Sequence, residues 1–233
     1  MAKSDGKVKV MGRWQCPFTM RARIALNIKS VNYELVEARP WDGQSQVLHE
    51  SKSNPVMVHG DKSICESLNI VEYIDEIWPY APSIVPSDPL ERVTARFWAG
   101  YLKDQWFPSL KAIGTAEGED TRKAAIRQVE KGLVLLEGAF GKCSKRKAFF
   151  GGDQIEYLDI AFGCFLCLLR VEEKVNGIKL LSETKTPNLL KWAHRFCSNA
   201  VVKDVMPTIE SLIESDEIIM GRMKGVASPA SRL

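Results

Sequence analysis

Cys16 is followed by Pro17 and then by FTMRARIALNIK, in which Met20, Ile24, Ala25 and Ile28 recur at helical spacing. A thiol there lies just before a helix N-terminus, where unsatisfied N–H groups and the macrodipole favour an anion. The position suits a nucleophilic thiolate. Pro17 fits the first helical turn, where its missing donor costs nothing. A cysteine can also be no more than a small buried residue, but the strand–turn–helix setting favours a reactive one. Thr19 fills the place that would complete a Cys-x-x-Cys couple, so no internal dithiol is available. A second pair, Glu66-Ser67, precedes Leu68, Val71, Ile74 and Ile77, again at helical spacing. An acid followed by a hydroxyl at a helix start can hold a zwitterion. The carboxylate meets an ammonium, while the hydroxyl and nearby N–H groups meet a carboxylate. Taken alone, the pair also reads as ordinary N-capping. Asn54-Pro55-Val56 opens a strand, an unusual place for proline.

The elements that must position these residues fall into two unequal parts. Before Trp78 the pattern predicts a strand over 8–11, a helix over 18–29 and a strand over 33–36. An irregular polar stretch follows, then strands over 56–59 and 63–65 joined by a turn at Gly60-Asp61-Lys62, and a helix from Ser67 with Glu72 and Asp75 facing outward. The order β-α-β then β-β-α describes a small α/β sheet domain. Pro79, Pro82, Pro86 and Pro89 exclude a helix or central strand and mark a linker. Beyond it only helical periods persist. One helix spans 90–111, carrying Val93, Phe97, Tyr101 and Leu102 with aromatic Trp98, Trp106 and Phe107 alongside, and another spans 121–140. A buried helix, apolar nearly all round, covers 155–171, and two more cover 187–198 and 201–214. The expected division is 1–80, linker 81–90, and an all-helical domain 91–233.

Composition narrows the function classes. Over 233 residues, 45% are hydrophobic and 26% charged, and 32 Lys and Arg against 29 acids leave a net charge of +3. Such balance speaks against a nucleic-acid groove or a basic membrane-adsorbed face. The longest apolar run, over 160–169, is far shorter than the roughly 18 residues of a spanning helix. The opening MAKSDGKVKV lacks the apolar core of a secretory signal. Six irregularly spaced cysteines fit reduced thiols in an intracellular protein. Cys164 and Cys167 lie in the apolar helix and read as core. The three histidines, His49, His59 and His194, show no zinc spacing, so no metal is expected. Arg96 and Asp104 either line a cleft between the two parts or form surface pairs. The ending Ser231-Arg232-Leu233 is close to a peroxisomal address, but the cytosol is expected first.

Several strings, in order, resemble the cytosolic glutathione transferases, and most closely the plant tau class. They are Cys16-Pro17-Phe18 with Met20 to Leu26, Ile64-Cys65-Glu66-Ser67, Val71 to Glu76, Ala95 to Ala99, and Gly151-Gly152-Asp153 through Tyr157 to Ile160. The Gly152, Ile155, Asp159 spacing is similar to that family's cap for its central helix, a start fixed by a hydrogen-bonding acid and an apolar staple. The resemblance covers nearly the whole chain. It implies a thioredoxin-like N-terminal domain that binds glutathione, an all-α domain with a hydrophobic pocket, a homodimer, and glutathione as co-substrate with no cofactor. Cys16 would be the catalytic residue, and Glu66 and Ser67 would hold the γ-glutamyl end. Asn54 would pair with the cysteinyl moiety through its backbone if Pro55 is the family's cis-proline. Trp14, Phe18, Phe107 and Lys111 fall where the class lines its acceptor pocket, and equally suit packing aromatics and a solvated lysine.

Two departures from the tau pattern matter. Cys16 stands where the class normally has serine, whose hydroxyl donates to the glutathione thiolate; a thiol is a weaker donor. Cysteine at that place resembles the lambda, omega and dehydroascorbate-reductase classes, which favour thiol exchange. Around Asn54 the chain has a single Pro-Val where tau members have two, separated by a pair of lysines. Lys52 is the candidate to replace them at the glycyl carboxylate. Loss of one charged contact, about 1.5–3 kcal/mol, corresponds to roughly ten- to a hundredfold weaker glutathione binding. Three activities follow as expectations. The first is conjugation of glutathione to hydrophobic electrophiles. The second is thiol transfer or reduction through Cys16, and the third is non-catalytic carriage of hydrophobic ligands.

Overall fold

The structure is a computed structural model that describes residues 6–37, 55–80 and 82–215. A central strand, β1 (Val8–Gly12), alternates buried and half-buried side chains, and the four strands lie in the order β2-β1-β3-β4. β2 (Glu34–Glu37) runs parallel to β1 with Leu35 opposite Val10. The crossover that a parallel pair requires is α1 (Pro17–Ile28). β3 (Val56–His59) returns antiparallel with Met57 opposite Val10, and β4 (Lys62–Cys65) pairs antiparallel with β3. The turn between them is made by Gly60, whose φ of 63° suits a residue without Cβ. α2 (Ser67–Ile77) packs against α1 and buries Ile70, Val71 and Ile74. This is the thioredoxin-like arrangement of a mixed four-stranded sheet.

Asp75, expected to face outward, instead turns toward residues 83–85. It accepts from Lys29 Nζ at 2.8 Å and from the N–H groups of Ile84 and Val85 at 2.8 and 2.9 Å. Lys29 is 2% exposed and also donates to the carbonyls of Tyr80 and Pro82 at 2.9 and 2.8 Å. Backbone groups in a non-helical stretch that packs on the molecule need partners, and this ion pair supplies them.

Beyond Asp88, whose carboxylate caps the N–H groups of Leu90 and Glu91 at 2.9 Å, the structure is helical. α3 (Pro89–Tyr101) runs through a π-helical turn, Leu102–Trp106, into α4 (Phe107–Thr115). The expected single helix is therefore continuous but widened by one turn. Its inner face also differs from expectation. Ala95, Ala99, Leu102 and Trp106 are buried, while Val93 and Phe97 are 61% and 64% exposed. The small residues let α3 lie close to α6 (Tyr157–Gly163). α5 (Glu119–Cys143) buries Val129, Leu133, Leu136 and Phe140, as its period predicts.

The long apolar helix expected over 155–171 is two helices, α6 and α7 (Leu166–Asn176), separated at Cys164 and Phe165. At Gly163 a Cβ would stand 2.3 Å from the ring of Phe196, which belongs to α8 (Pro187–Ser198). The helix predicted over 201–214 is likewise interrupted. α9 (Ala200–Lys203) ends early, and helical structure resumes at 209, past Pro207, which cannot donate to a preceding turn.

The start of α6 follows the acid-and-staple reading. Glu156 and Asp159 form a reciprocal capping box. Fully buried Asp159 accepts from the N–H groups of Phe150, Gly151 and Glu156 and from Trp192 Nε1 at 2.7 Å. Burial pushes its carboxyl up to about 6 against the pull of those donors. Glu156 rises to about 7, through burial first and then the charge of Asp159.

Candidate active site

The starts of α1 and α2 carry the residues singled out for chemistry. Cys16 is the N-cap of α1, in extended conformation, with Pro17 beginning the helix. Its backbone carbonyl accepts from Met20 N at 3.1 Å, and its thiol makes no capping hydrogen bond. It is half-buried and within electrostatic reach of the Arg21 guanidinium. Glu66 is the N-cap of α2 and likewise makes no capping bond, which departs from the ordinary-cap reading. Its φ of 66° puts a non-glycine residue in the left-handed region, a strain on the order of 1–3 kcal/mol of the kind found at ligand sites. The carboxylate is exposed and meets Lys103 Nζ at 3.2 Å. Ser67 is 6% exposed, and its Oγ accepts from Arg21 Nη1 at 3.1 Å.

Glu66, Ser67, Arg21, Phe18, Lys103 and Tyr157 are among the residues lining one cleft of about 600 Å³ between α1, α2 and α3. Arg96 also lines it and is paired through Nε and Nη2 with Glu72 at 3.0 and 2.8 Å, so both of the roles considered for it hold. Burial first, and then Glu72, hold the Tyr157 phenol up to about 12, so it remains a neutral donor. Burial pushes the Arg21 guanidinium below its usual range, opposed by Cys164, Tyr157 and Cys16. The cleft thus offers a carboxylate, a hydroxyl, a helix N-terminus and several cations within one concavity.

Of the four residues expected at the acceptor pocket, three come together. Phe18 lies edge-on to Phe107 at 5.5 Å and to Phe165 at 5.8 Å, while Phe107 and Phe165 stack at 4.6 Å. Lys111 Nζ sits 6.0 Å over the Phe107 ring, and both line a second, shallower cleft of about 430 Å³. Trp14 is half-buried and lines neither cleft. Pro55 is buried immediately before β3. Asn54 and Lys52 lie outside the described residues, as does the C-terminal Ser231-Arg232-Leu233. Cys164 and Cys167 are buried, with Cys167 Sγ donating to the Cys164 carbonyl at 3.2 Å. Asp104 is exposed on the π turn. Among the described residues no group of three or more His, Cys, Asp or Glu could hold a metal ion, and no helix is long and apolar enough to cross a membrane.

Sequence reasoning passed over Arg21 and Lys103. Arg21 left a readable signal, a charge inside the stripe Met20, Ile24, Ala25 and Ile28 that α1 buries. Lys103 left none, because only the fold brings the turn after α3 to the mouth of α2.

Known proteins share this architecture and much of the sequence. The family "Glutathione S-transferase, N-terminal domain" matches residues 12–82. Glutathione S-transferase U18 of Arabidopsis thaliana is 51% identical over 219 residues, covering 92% of this chain and 95% of its own. The crystal structure of a tau-class glutathione S-transferase from mango, Mangifera indica, superposes with a TM-score of 0.86 at 55% identity, over 91% of this chain and 98% of that one. Rice GST1, solved in complex with glutathione, superposes with a TM-score of 0.82 at 25% identity, over 94% and 98%. With half its residues shared over nine-tenths of its length, and with a superposition over the same span, the chain belongs to the tau class of glutathione transferases.

Proposed function

We propose that this enzyme conjugates glutathione to hydrophobic electrophiles, with the tripeptide in the cleft between α1, α2 and α3 and its sulfur at Cys16. One observation carries the reading: Glu66 and Ser67, at the start of α2, share a cleft with the buried cation Arg21 of α1. A ligand with both an ammonium and a carboxylate at one end matches that wall. Glu66 receives the ammonium, and Ser67 with the first N–H groups of α2 receives the γ-glutamyl carboxylate. The family resemblance makes Asn54, before Pro55, the candidate for the cysteinyl unit and Lys52 the candidate for the glycyl carboxylate. The N-terminus of α1 stabilises the sulfur as an anion, and the Cys16 thiol donates a weak hydrogen bond to it. The acceptor lies against Phe18 and Phe107, with Lys111 at the edge; the resemblance alone adds Trp14. The thiolate attacks the electrophilic carbon, forming a C–S bond as the leaving group departs with its electron pair. Glutathione is consumed as co-substrate, and the reaction takes no further cofactor.

The functional division follows 1–80 for glutathione, 81–90 as linker and 91–233 for the acceptor. The stripe Leu90, Val93 and Phe97, at 74%, 61% and 64% exposure, supports a homodimer that covers it, which a hydrodynamic mass of two chains would bear out. The cytoplasm is the proposed compartment. Purified enzyme with glutathione and a chlorinated nitrobenzene should release chloride at a rate proportional to protein. A rate no higher than the uncatalysed one, beside rapid reduction of a glutathionylated disulfide, would overturn conjugation in favour of thiol transfer.

A further inference from the structure

We propose that a further cavity, between the start of α3, the end of α5 and the cap of α6, binds small apolar amines in their protonated form, with Glu156 as counter-ion. It measures about 230 Å³ and shares no lining residue with the two clefts described above. Pro86, Ala95, Phe150 and Leu158 give it apolar walls. Phe150 and Leu158 are 2% and 3% exposed, so packing holds those walls in place. An apolar cavity of about 150 Å³ accepts a benzene ring, so this one has room for a single ring with a short arm.

The acid in the wall sets the charge of that arm. Glu156 lies where residue 151 would carry a side chain: a Cβ at Gly151 would stand 2.2 Å from its carboxyl carbon. Gly151 thus leaves space for a carboxyl in the lining. Among the described residues, no lysine, arginine or histidine forms an ion pair with it. Lys145, in the same wall, is bound to Glu91. Lys142 is exposed in the last turn of α5. Burial, and then Asp159 and Glu91, push the Cys143 thiol up, so it carries no charge near pH 7. Glu156 itself faces the acids Asp159, Glu91 and Asp75, with Lys145 opposing them, and burial with those acids lifts it to about 7. A half-buried carboxylate among acids, with no cation of its own, is costly to ionise. A ligand ammonium supplies the missing charge and donates to the carboxylate, whereas a ligand anion would add to the repulsion. An alkylamine keeps its proton to about pH 10, so binding should strengthen as Glu156 ionises through pH 7.

The test titrates the whole enzyme calorimetrically with 2-phenylethylamine and with its anionic counterpart 3-phenylpropionate, while S-hexylglutathione occupies the tripeptide cleft. The amine should bind once per chain, about tenfold or more tighter than the carboxylate at pH 8. Its dissociation constant should rise about five- to tenfold from pH 8 to pH 6. Glu156→Gln should erase both the preference and the pH dependence. Thr94→Phe fills the cavity from α3 and leaves Glu156 in place, so it should remove binding. Bound amine should also slow alkylation of Cys143 by N-ethylmaleimide, read by peptide mass mapping, a measurement that needs no variant. Absence of amine binding, tighter binding of the carboxylate, or an affinity unchanged by either substitution would overturn the proposal. So would alkylation of Cys143 at the same rate with and without the amine, which would place the ligand elsewhere.

Discussion

In the proposed reading the Cys16 thiol takes the place of a serine hydroxyl beside the glutathione sulfur, and the chemistry of the two groups differs in a measurable way. A hydroxyl is the stronger donor to a neighbouring thiolate. Restoring it by Cys16→Ser should add a hydrogen bond of about 1 kcal/mol and raise the conjugation rate roughly fivefold. Steady-state rates with a chlorinated nitrobenzene check this, and an unchanged or lower rate would show that Cys16 does not face the glutathione sulfur. Residue-level legibility was uneven. Cys16, Glu66 and Ser67 were readable because each is tied to a helix start, a feature that local sequence announces. The partners of Arg21 and Lys29 were not, even though Arg21 stands within an apolar stripe, since they are decided by what the fold packs around each cation: Ser67 and Ala161 in one case, Asp75 in the other.

At the scale of elements, the break between α6 and α7 depends on contact. Gly163 admits the Phe196 ring, so Gly163→Ala should cost about 1–3 kcal/mol through overpacking, seen as a lower melting temperature. A melting temperature equal to wild type would mean the α6–α8 contact gives way freely. The α6 cap makes a pH prediction. Glu156 titrates near 4.5 unfolded and near 7 in the fold, raised by burial, Asp159, Glu91 and Asp75 against Lys145. Folding therefore favours its protonated form. This part of the stability is full below pH 4.5, declines as pH rises toward 7 and stays lost above it. Because Glu156 is only half-buried, the change is discounted to on the order of 1–2 kcal/mol. Glu156→Gln should flatten the melting temperature between pH 5.5 and 8, whereas an equally steep profile would assign the effect elsewhere. Strands, helix α1 and the long helix α5 were legible from period alone. The interruptions at Gly163 and after Lys203, and the inward face of α3, were not. Periodicity reports which residues are apolar, not which neighbour they meet: Val93 and Phe97 look like core, yet Ala95 and Ala99 take that place.

For the whole molecule, the ion pair of Lys29 and Asp75 fastens Tyr80, Pro82, Ile84 and Val85 to the sheet domain. Burial alone would raise Asp75, but Lys29 and the N–H groups of Ile84 and Val85 outweigh it and hold its pKa below the usual value. This contribution is present above an ordinary aspartate pKa near 4 and is lost as pH falls through the depressed value. Lys29→Met strands Asp75 and should destabilise the protein by about 3–5 kcal/mol, measured by denaturant unfolding at pH 7. A loss below about 1 kcal/mol would mean that solvent replaces the lysine. The two-part architecture was legible because a proline-dense stretch separates a mixed-period half from a helical one. The cleft between them was not, since Lys103 and Tyr157 reach it only through tertiary packing. The proposed function turns on one event, the seating of the tripeptide at Glu66 and Ser67. Calorimetric titration of the enzyme with glutathione measures it directly. The predicted result is a saturable heat for one tripeptide per chain, abolished by Glu66→Gln combined with Ser67→Ala. No heat at millimolar glutathione, or heat unchanged by the double substitution, would contradict it.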